Sequence, residues 1–121
     1  MPYHVRVDLN GDKVIDYAWI LIPTSGKGQG LFVFLRQSSG KPRVVQLDYS
    51  ENVSPQTMYL SEIEPRRYGT ACGKGYWDCA AGEPAVLRVR AGIVYAMYES
   101  SSSIFYWNAE RKEFTRVWIS D

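Results

Sequence analysis

The feature of this sequence that most constrains its fold is a series of short apolar runs separated by turn-forming residues. Tyr3–Val7 alternates between apolar and polar residues, and Arg43–Tyr49 reads as a further strand. Tyr17–Ile22 and Leu31–Leu35 are apolar on both faces, which is typical of strands buried in a sheet. Glycine-rich or polar turns separate these runs, and Gln37–Pro42 is one of them. The four runs therefore predict an antiparallel meander.

The second half repeats this pattern of strands and turns. Met58–Ile63 reads as a short strand or an irregular extended segment, and Arg66–Pro84 as a long loop without regular structure. The remaining runs predict a second meander of about four strands, formed by Val86–Arg90, Ile93–Glu99, Ile104–Trp107 and Phe114–Ile119. No segment has the spacing of an amphipathic helix. We therefore expect a single all-β domain over residues 1–121, with antiparallel meander sheets: one blade-like unit completed by the C-terminal strands in a sandwich-like arrangement.

Acidic residues are concentrated in the turn between the first two strands. Asp8, Asn10, Asp12 and Asp16 occupy positions 1, 3, 5 and 9 of this loop, and the backbone carbonyl of Val14 lies at position 7. Ca²⁺ requires about six to eight oxygen ligands, and a short loop supplies them at this spacing. The pattern favours a Ca²⁺ site formed by these five residues. The alternative is an acidic β-turn, because Asn-Gly between two strands is itself a strong hairpin signal.

The phrase DLNGDKVIDYAWILI resembles the calcium loops of FG-GAP, VCBS and integrin-type repeats. The resemblance implies a calcium loop that joins two strands. Lys13 departs from the pattern, because the sixth position is usually glycine. Position 12 is Trp19 instead of the bidentate glutamate of an EF-hand, so the loop is not an EF-hand. The C-terminal segment ESSSSIFYWNAERKEFTRVWISD also resembles the ends of small, uncharacterised secreted bacterial proteins.

Two cysteines, Cys72 and Cys79, are separated by a turn-rich segment. There is no Cys-x-x-Cys motif and a single histidine, which argues against zinc. A local disulfide is favoured over two free thiols, and it indicates an oxidising compartment. We therefore expect a periplasmic or extracellular protein, with Met1-Pro2 at the position of a removed leader.

The overall charge and the scarcity of catalytic motifs narrow the class of function. The net charge is +1 and the basic residues are scattered, which gives no indication of nucleic-acid binding. No apolar run is long enough to span a membrane. His4 is the one histidine, and no Gly-x-Ser-x-Gly motif is present. We therefore expect a protein that is not an enzyme.

The residue types that dominate protein interfaces are concentrated in and near the cysteine loop. We expect a partner-binding surface there and in the serine-rich link that follows, formed by Arg66, Arg67, Tyr68, Tyr76, Trp77, Ser101 and Ser102. One form of this hypothesis is an immunity or inhibitor protein that blocks a secreted toxin effector, as a monomer or a small homo-oligomer. The alternative is a carbohydrate- or cell-wall-binding module that uses Trp77, Tyr76 and Tyr68 as a stacking platform.

Overall fold

The computed structural model describes residues 3–37 and 40–120, and it confirms an all-β, antiparallel fold. Within these ranges ten strands form two four-stranded sheets and one two-stranded hairpin. No helix in the same ranges is long and apolar enough to cross a membrane. The predicted start at Met1-Pro2 lies outside the described residues.

The first sheet is the predicted N-terminal meander. Its strands are β1 (His4–Val7), β2 (Asp16–Leu21), β3 (Gln29–Leu35) and β4 (Arg43–Ser50), and their spatial order follows the chain. All three pairings are antiparallel. A bulge where Leu31 and Phe32 face β4 shifts the register, so that Asp48 comes to lie opposite Leu31. The predicted turn at Gln37–Pro42 includes Ser38 and Ser39, which lie outside the described residues.

The second half of the chain forms a second sheet and a separate hairpin. A short 3₁₀ turn (Pro55–Thr57) leads into β5 (Met58–Glu62), which forms a sheet with β8 (Ile93–Met97), β9 (Ser102–Asn108) and β10 (Glu113–Ser120), in the order β10-β9-β8-β5. The hairpin consists of β6 (Arg66–Gly69) and β7 (Val86–Val89).

Two details of the predicted second meander are wrong. Val86–Val89 does not join β8 but pairs with Arg66–Gly69, a segment that was expected to be part of a long loop. The place beside β8 is taken by β5. The physical reason is burial, because Tyr68 and Leu87 are register partners that pack together into a separate apolar cluster.

The main hydrophobic core lies between the two sheets. Each sheet contributes the inward-facing side of its alternating strands: Ala18, Ile20, Leu31 and Val33 from the first, and Leu60, Ile93, Tyr95 and Phe105 from the second. A second, smaller core lies on the opposite side of the second sheet, under the hairpin, and consists of Ile63, Tyr68, Leu87, Val89, Ile104 and Val117. The second sheet is therefore covered on both faces.

The predicted disulfide between Cys72 and Cys79 is confirmed. It closes part of the long connection between β6 and β7. Thr70, which is buried, holds the other end of this connection by donating from Oγ1 to the Pro84 carbonyl at 2.7 Å. Gly73 packs so closely against the backbone of Ala85 that a Cβ there would overlap the Ala85 carbonyl. The connection is thus fixed to the hairpin at several points.

Candidate functional site

The acidic loop between β1 and β2 brings three carboxylates together. Asp8, Asp12 and Asp16 each place a carboxylate oxygen within 4.8 Å of the others. Asp12 is exposed, Asp8 is half-buried and Asp16 is fully buried. Without a counter-ion, these like charges repel one another. A group with this arrangement could hold a metal ion.

Backbone N–H groups wrap the loop around two of these carboxylates. Asp8 accepts from Gly11 N and from Lys13 N, each at 2.8 Å. Asp12 Oδ1 accepts from Val14 N at 2.9 Å. Lys13 has a φ of 68°, in the left-handed region that favours glycine. The sharp turn expected at the sixth position is therefore made, but by a residue for which it is strained.

Asp16 ties the loop to the rest of the first sheet. Its Oδ2 accepts from Leu9 N and its Oδ1 accepts from Arg36 N, each at 2.9 Å. Burial raises the pKa of Asp16; the two backbone N–H groups lower it, and the charges of Asp12 and Asp8 raise it again. Asp16 is thus a buried acid whose charge is disfavoured in the absence of a cation.

Asn10 lies between the other acidic side chains of the loop. With its amide nitrogen turned toward them, it donates to Asp8 Oδ1 at 3.2 Å and to Asp12 Oδ1 at 3.0 Å. A bound cation would reverse this orientation, because a cation attracts the amide oxygen and repels the N–H dipole. The loop thus brings together the four predicted side chains. The fifth predicted ligand is the backbone carbonyl of Val14. The structure shows a hydrogen bond of this residue through its N–H group, which donates to Asp12 Oδ1.

A second cluster of ligand-type residues consists of Cys72, Cys79 and Glu83. The two sulfur atoms are joined in the disulfide, so they cannot act as thiolate ligands. Glu83 accepts from Trp77 Nε1 at 3.1 Å and from Ala80 N at 3.0 Å. This cluster therefore stabilises the cysteine loop.

The residues of the predicted partner surface differ in exposure, and Arg66 contacts Tyr68, with its guanidinium carbon 4.1 Å from the ring centroid. Arg66 and Arg67 are exposed on β6, whereas Tyr68 packs into the second core and donates to the Glu64 carbonyl at 2.7 Å. Tyr76 and Trp77 are 52% and 36% exposed. Because the Tyr68 ring is 9% exposed, the three aromatic residues do not share one exposed platform.

The serine-rich link is partly engaged in the second sheet. The Ser102 and Ser120 hydroxyls lie 2.9 Å apart in a hydrogen bond, and the Ser101 carbonyl accepts from Met97 N at 2.8 Å. Outside this link, His4 on β1 stacks on Trp19 of β2, with the two ring centroids 4.5 Å apart. Ser101 also lines a hollow between the two sheets.

A polar network at this hollow was not expected from the sequence. Arg116 Nη1 lies 3.5 Å from Asp48 Oδ1, and Arg116 Nε donates to Ser103 Oγ at 3.0 Å. Tyr95 donates to Gln29 Oε1 at 2.8 Å. Burial raises the pKa of Tyr95 and lowers that of Arg116. The hollow has a volume of about 250 Å³.

The one sequence signal for this network is Arg116, which occupies an inward-facing position of a strand. Its charge is offset by Asp48 from the opposite sheet, and its guanidinium lies 4.1 Å from the Trp118 ring centroid. The network links the two sheets, since Asp48 and Gln29 belong to the first and the other members to the second.

Comparisons of this chain with protein families, with curated proteins and with solved structures find no match. The resemblance of the acidic loop to FG-GAP-type repeats therefore stays a prediction. The three carboxylates at the turn between β1 and β2 could hold a metal ion.

Proposed function

We propose that this protein is a non-enzymatic, exported β protein that binds Ca²⁺ in its first loop and acts by binding a protein partner. The proposal of calcium binding, which we call the calcium half, rests on the convergence of the Asp8, Asp12 and Asp16 carboxylates within 4.8 Å. The proposal of partner binding, which we call the partner half, has one specific form: an immunity or inhibitor protein that blocks a toxin effector. The disulfide supports export, because such bonds persist in oxidising compartments.

The chemistry of the loop favours calcium among the common cations. Its ligand atoms are carboxylate, amide and carbonyl oxygens, which suit hard cations and not zinc or copper. Mg²⁺ needs a near-ideal octahedron at about 2.0–2.1 Å, whereas Ca²⁺ accepts the more variable geometry of a flexible loop. Because Lys13 occupies the usual glycine position, we expect a weak site, with a dissociation constant of about 10⁻⁴–10⁻³ M as in extracellular modules.

The calcium half is tested by thermal unfolding and calorimetric titration in chelator, Mg²⁺ and Ca²⁺. With a dissociation constant of about 1 mM, roughly 10 mM Ca²⁺ stabilises the folded state by about 1.4 kcal/mol. For a chain of this size, the midpoint should rise by about 4–8 °C. We expect Asp12→Asn to abolish most of this rise. Glu51→Gln removes an exposed acid near the turn between β2 and β3, so it should leave the rise intact.

An equal calcium response in wild type and Asp12→Asn would contradict the site, as would no response in the wild type. A larger response to Mg²⁺ than to Ca²⁺ would contradict the choice of ion.

The partner half has a separate test. Pull-down of the tagged protein from cells of its source should recover one protein in a complex of defined stoichiometry, and a toxic activity of that partner should be inhibited in the complex. Recovery of no such complex contradicts this half and leaves the calcium titration unaffected.

A further inference from the structure

The outward-facing side of the first sheet, which we call the outer face, carries an unusual concentration of aromatic side chains. Trp19 and Phe32 are register partners on β2 and β3, and so are Tyr17 and Phe34. His4 on β1 stacks on Trp19. These side chains alternate with the core residues of the same strands, so they point away from the second sheet.

Much of the outer face is accessible. Five of the ten exposed large hydrophobic residues of the described chain lie on it or at its rim: Trp19, Leu21, Ile22, Val44 and Tyr49. Contiguous apolar surface of this kind on a folded domain marks a site of interaction.

Two hollows interrupt the outer face. The larger, of about 400 Å³, is lined by Tyr17, Trp19, Phe34 and Arg36 together with residues of the following turn. The smaller, of about 280 Å³, is lined almost entirely by apolar groups, among them Leu21 and Phe32. One hollow thus combines aromatic rings with a guanidinium, and the other suits an apolar side chain.

The charge on the outer face has one sign. Arg6 lies over the Tyr17 ring, with its guanidinium carbon 5.7 Å from the centroid, and Arg36 lines the larger hollow. Among residues 3–37 and 40–120, no carboxylate is within ion-pair distance of either arginine. The strand positions that point outward carry no acidic residue. A ligand that brings carboxylates would therefore gain attraction without displacing an existing ion pair.

We propose that the outer face is the docking surface for a partner protein that presents acidic and apolar side chains together. This inference deepens the proposed partner-binding role and does not depend on the cation loop. Charge disfavours a second copy of this chain as the occupant, because a two-fold contact would bring the arginines together. The apolar lining of the smaller hollow favours a protein side chain over a hydroxyl-rich sugar. Tyr17 and Trp19 lie on the central strand β2 and the two arginines lie at the rim of the face, and tryptophan, tyrosine and arginine are the residues that dominate binding hot spots.

The test uses a random peptide library displayed on phage, selected against the whole folded protein. We expect the enriched peptides to combine Asp or Glu with large apolar residues. Synthetic copies should shift the amide resonances of β2 and β3. Their affinity should fall by about tenfold or more in Trp19→Ala and in Arg36→Glu.

Matched controls remove an exposed aromatic ring and reverse an exposed positive charge in turns of the second sheet. Tyr98→Ala, in the turn between β8 and β9, and Arg111→Glu, in the turn between β9 and β10, should leave the affinity unchanged. Each variant is first shown to unfold at the wild-type temperature within error. Trp19 and Arg36 lie outside both hydrophobic cores, and Tyr98 and Arg111 are exposed, so we expect all four variants to fold.

The remaining outcomes overturn the proposal in distinguishable ways. Peptides that bind but lose affinity only in the control variants would leave a partner-binding role intact and move the surface away from the outer face. Enrichment of no peptide, or of peptides without acidic residues, would reject an acidic protein ligand. Binding of a glycan array, of phosphatidylglycerol vesicles or of a second copy in sedimentation, each lost in Trp19→Ala, would assign the face to another occupant.

Discussion

The backbone at Lys13 gives the sharpest prediction about the acidic loop. A non-glycine residue in the left-handed region costs about 1–2 kcal/mol relative to a right-handed one. Lys13→Gly removes this cost, but it also increases the entropy of the unfolded chain, which costs about 0.5–1 kcal/mol. We therefore expect Lys13→Gly to stabilise the folded state by about 0.5–1 kcal/mol in chelator. The N–H bond from residue 13 to Asp8 is retained, because it comes from the backbone.

Two other exposed lysines provide matched controls in urea denaturation. Lys112 has a φ of 54° in the turn between β9 and β10, so Lys112→Gly should also stabilise. Lys27 is not among the described residues with positive φ, so Lys27→Gly should destabilise by about 0.5–1 kcal/mol. If Lys13→Gly destabilises as much as Lys27→Gly, the left-handed turn at the sixth position is wrong. The Lys13→Gly variant should also bind Ca²⁺ more tightly than wild type, since it loses a positive charge from the loop.

Three further predictions concern stability. Asp16→Asn replaces one of two buried acceptor oxygens by an amide NH₂ group, which cannot accept, so in chelator it should cost about 1–3 kcal/mol. Asp12→Asn, at an exposed site with one such bond, should cost less than about 1 kcal/mol. Equal costs in urea denaturation would contradict the role of Asp16 as a buried acceptor of two backbone hydrogen bonds. Burial raises the pKa of Asp16 above its ordinary value of 3.8 in the folded state, so this group favours folding at low pH and loses that contribution as the pH rises through its folded-state pKa. The unfolding free energy of wild type minus that of Asp16→Asn, measured in chelator, should therefore fall as the pH is raised above 3.8, and a rise would refute the direction of the shift. Replacing both cysteines by serine should lower the free energy of unfolding by about 2–3 kcal/mol, because the disulfide no longer constrains the unfolded chain. The measurement is urea denaturation of the oxidised wild type and the variant. A cost near zero would show that the loop is held by its other contacts alone.

The first half of the fold could be read from local patterns in the sequence. The four strands of the first sheet follow one another, and each is a clear apolar or alternating run between turns, so the local pattern also gives the pairing. The four side chains of the acidic loop lie within nine residues, so their proximity follows from the turn itself.

The remaining features depend on contacts between distant residues. Arg66–Gly69 contains two arginines and a glycine, so nothing local marks it as a strand; its pairing with Val86–Val89 depends on burial of Tyr68 against Leu87. The link between Asp48 and Arg116 is made across the two sheets, so it depends on how they pack. The register of the first sheet is also what brings Tyr17, Trp19, Phe32 and Phe34 together on one face.

A crystal structure determined in millimolar calcium would show whether the acidic loop holds an ion. We predict one peak of density enclosed by Asp8, Asn10, Asp12, the Val14 carbonyl and Asp16, with oxygen distances of about 2.3–2.6 Å and the amide oxygen of Asn10 facing the ion. Asn10 still donating from its amide nitrogen to Asp8 and Asp12, with no ion between them, would contradict it.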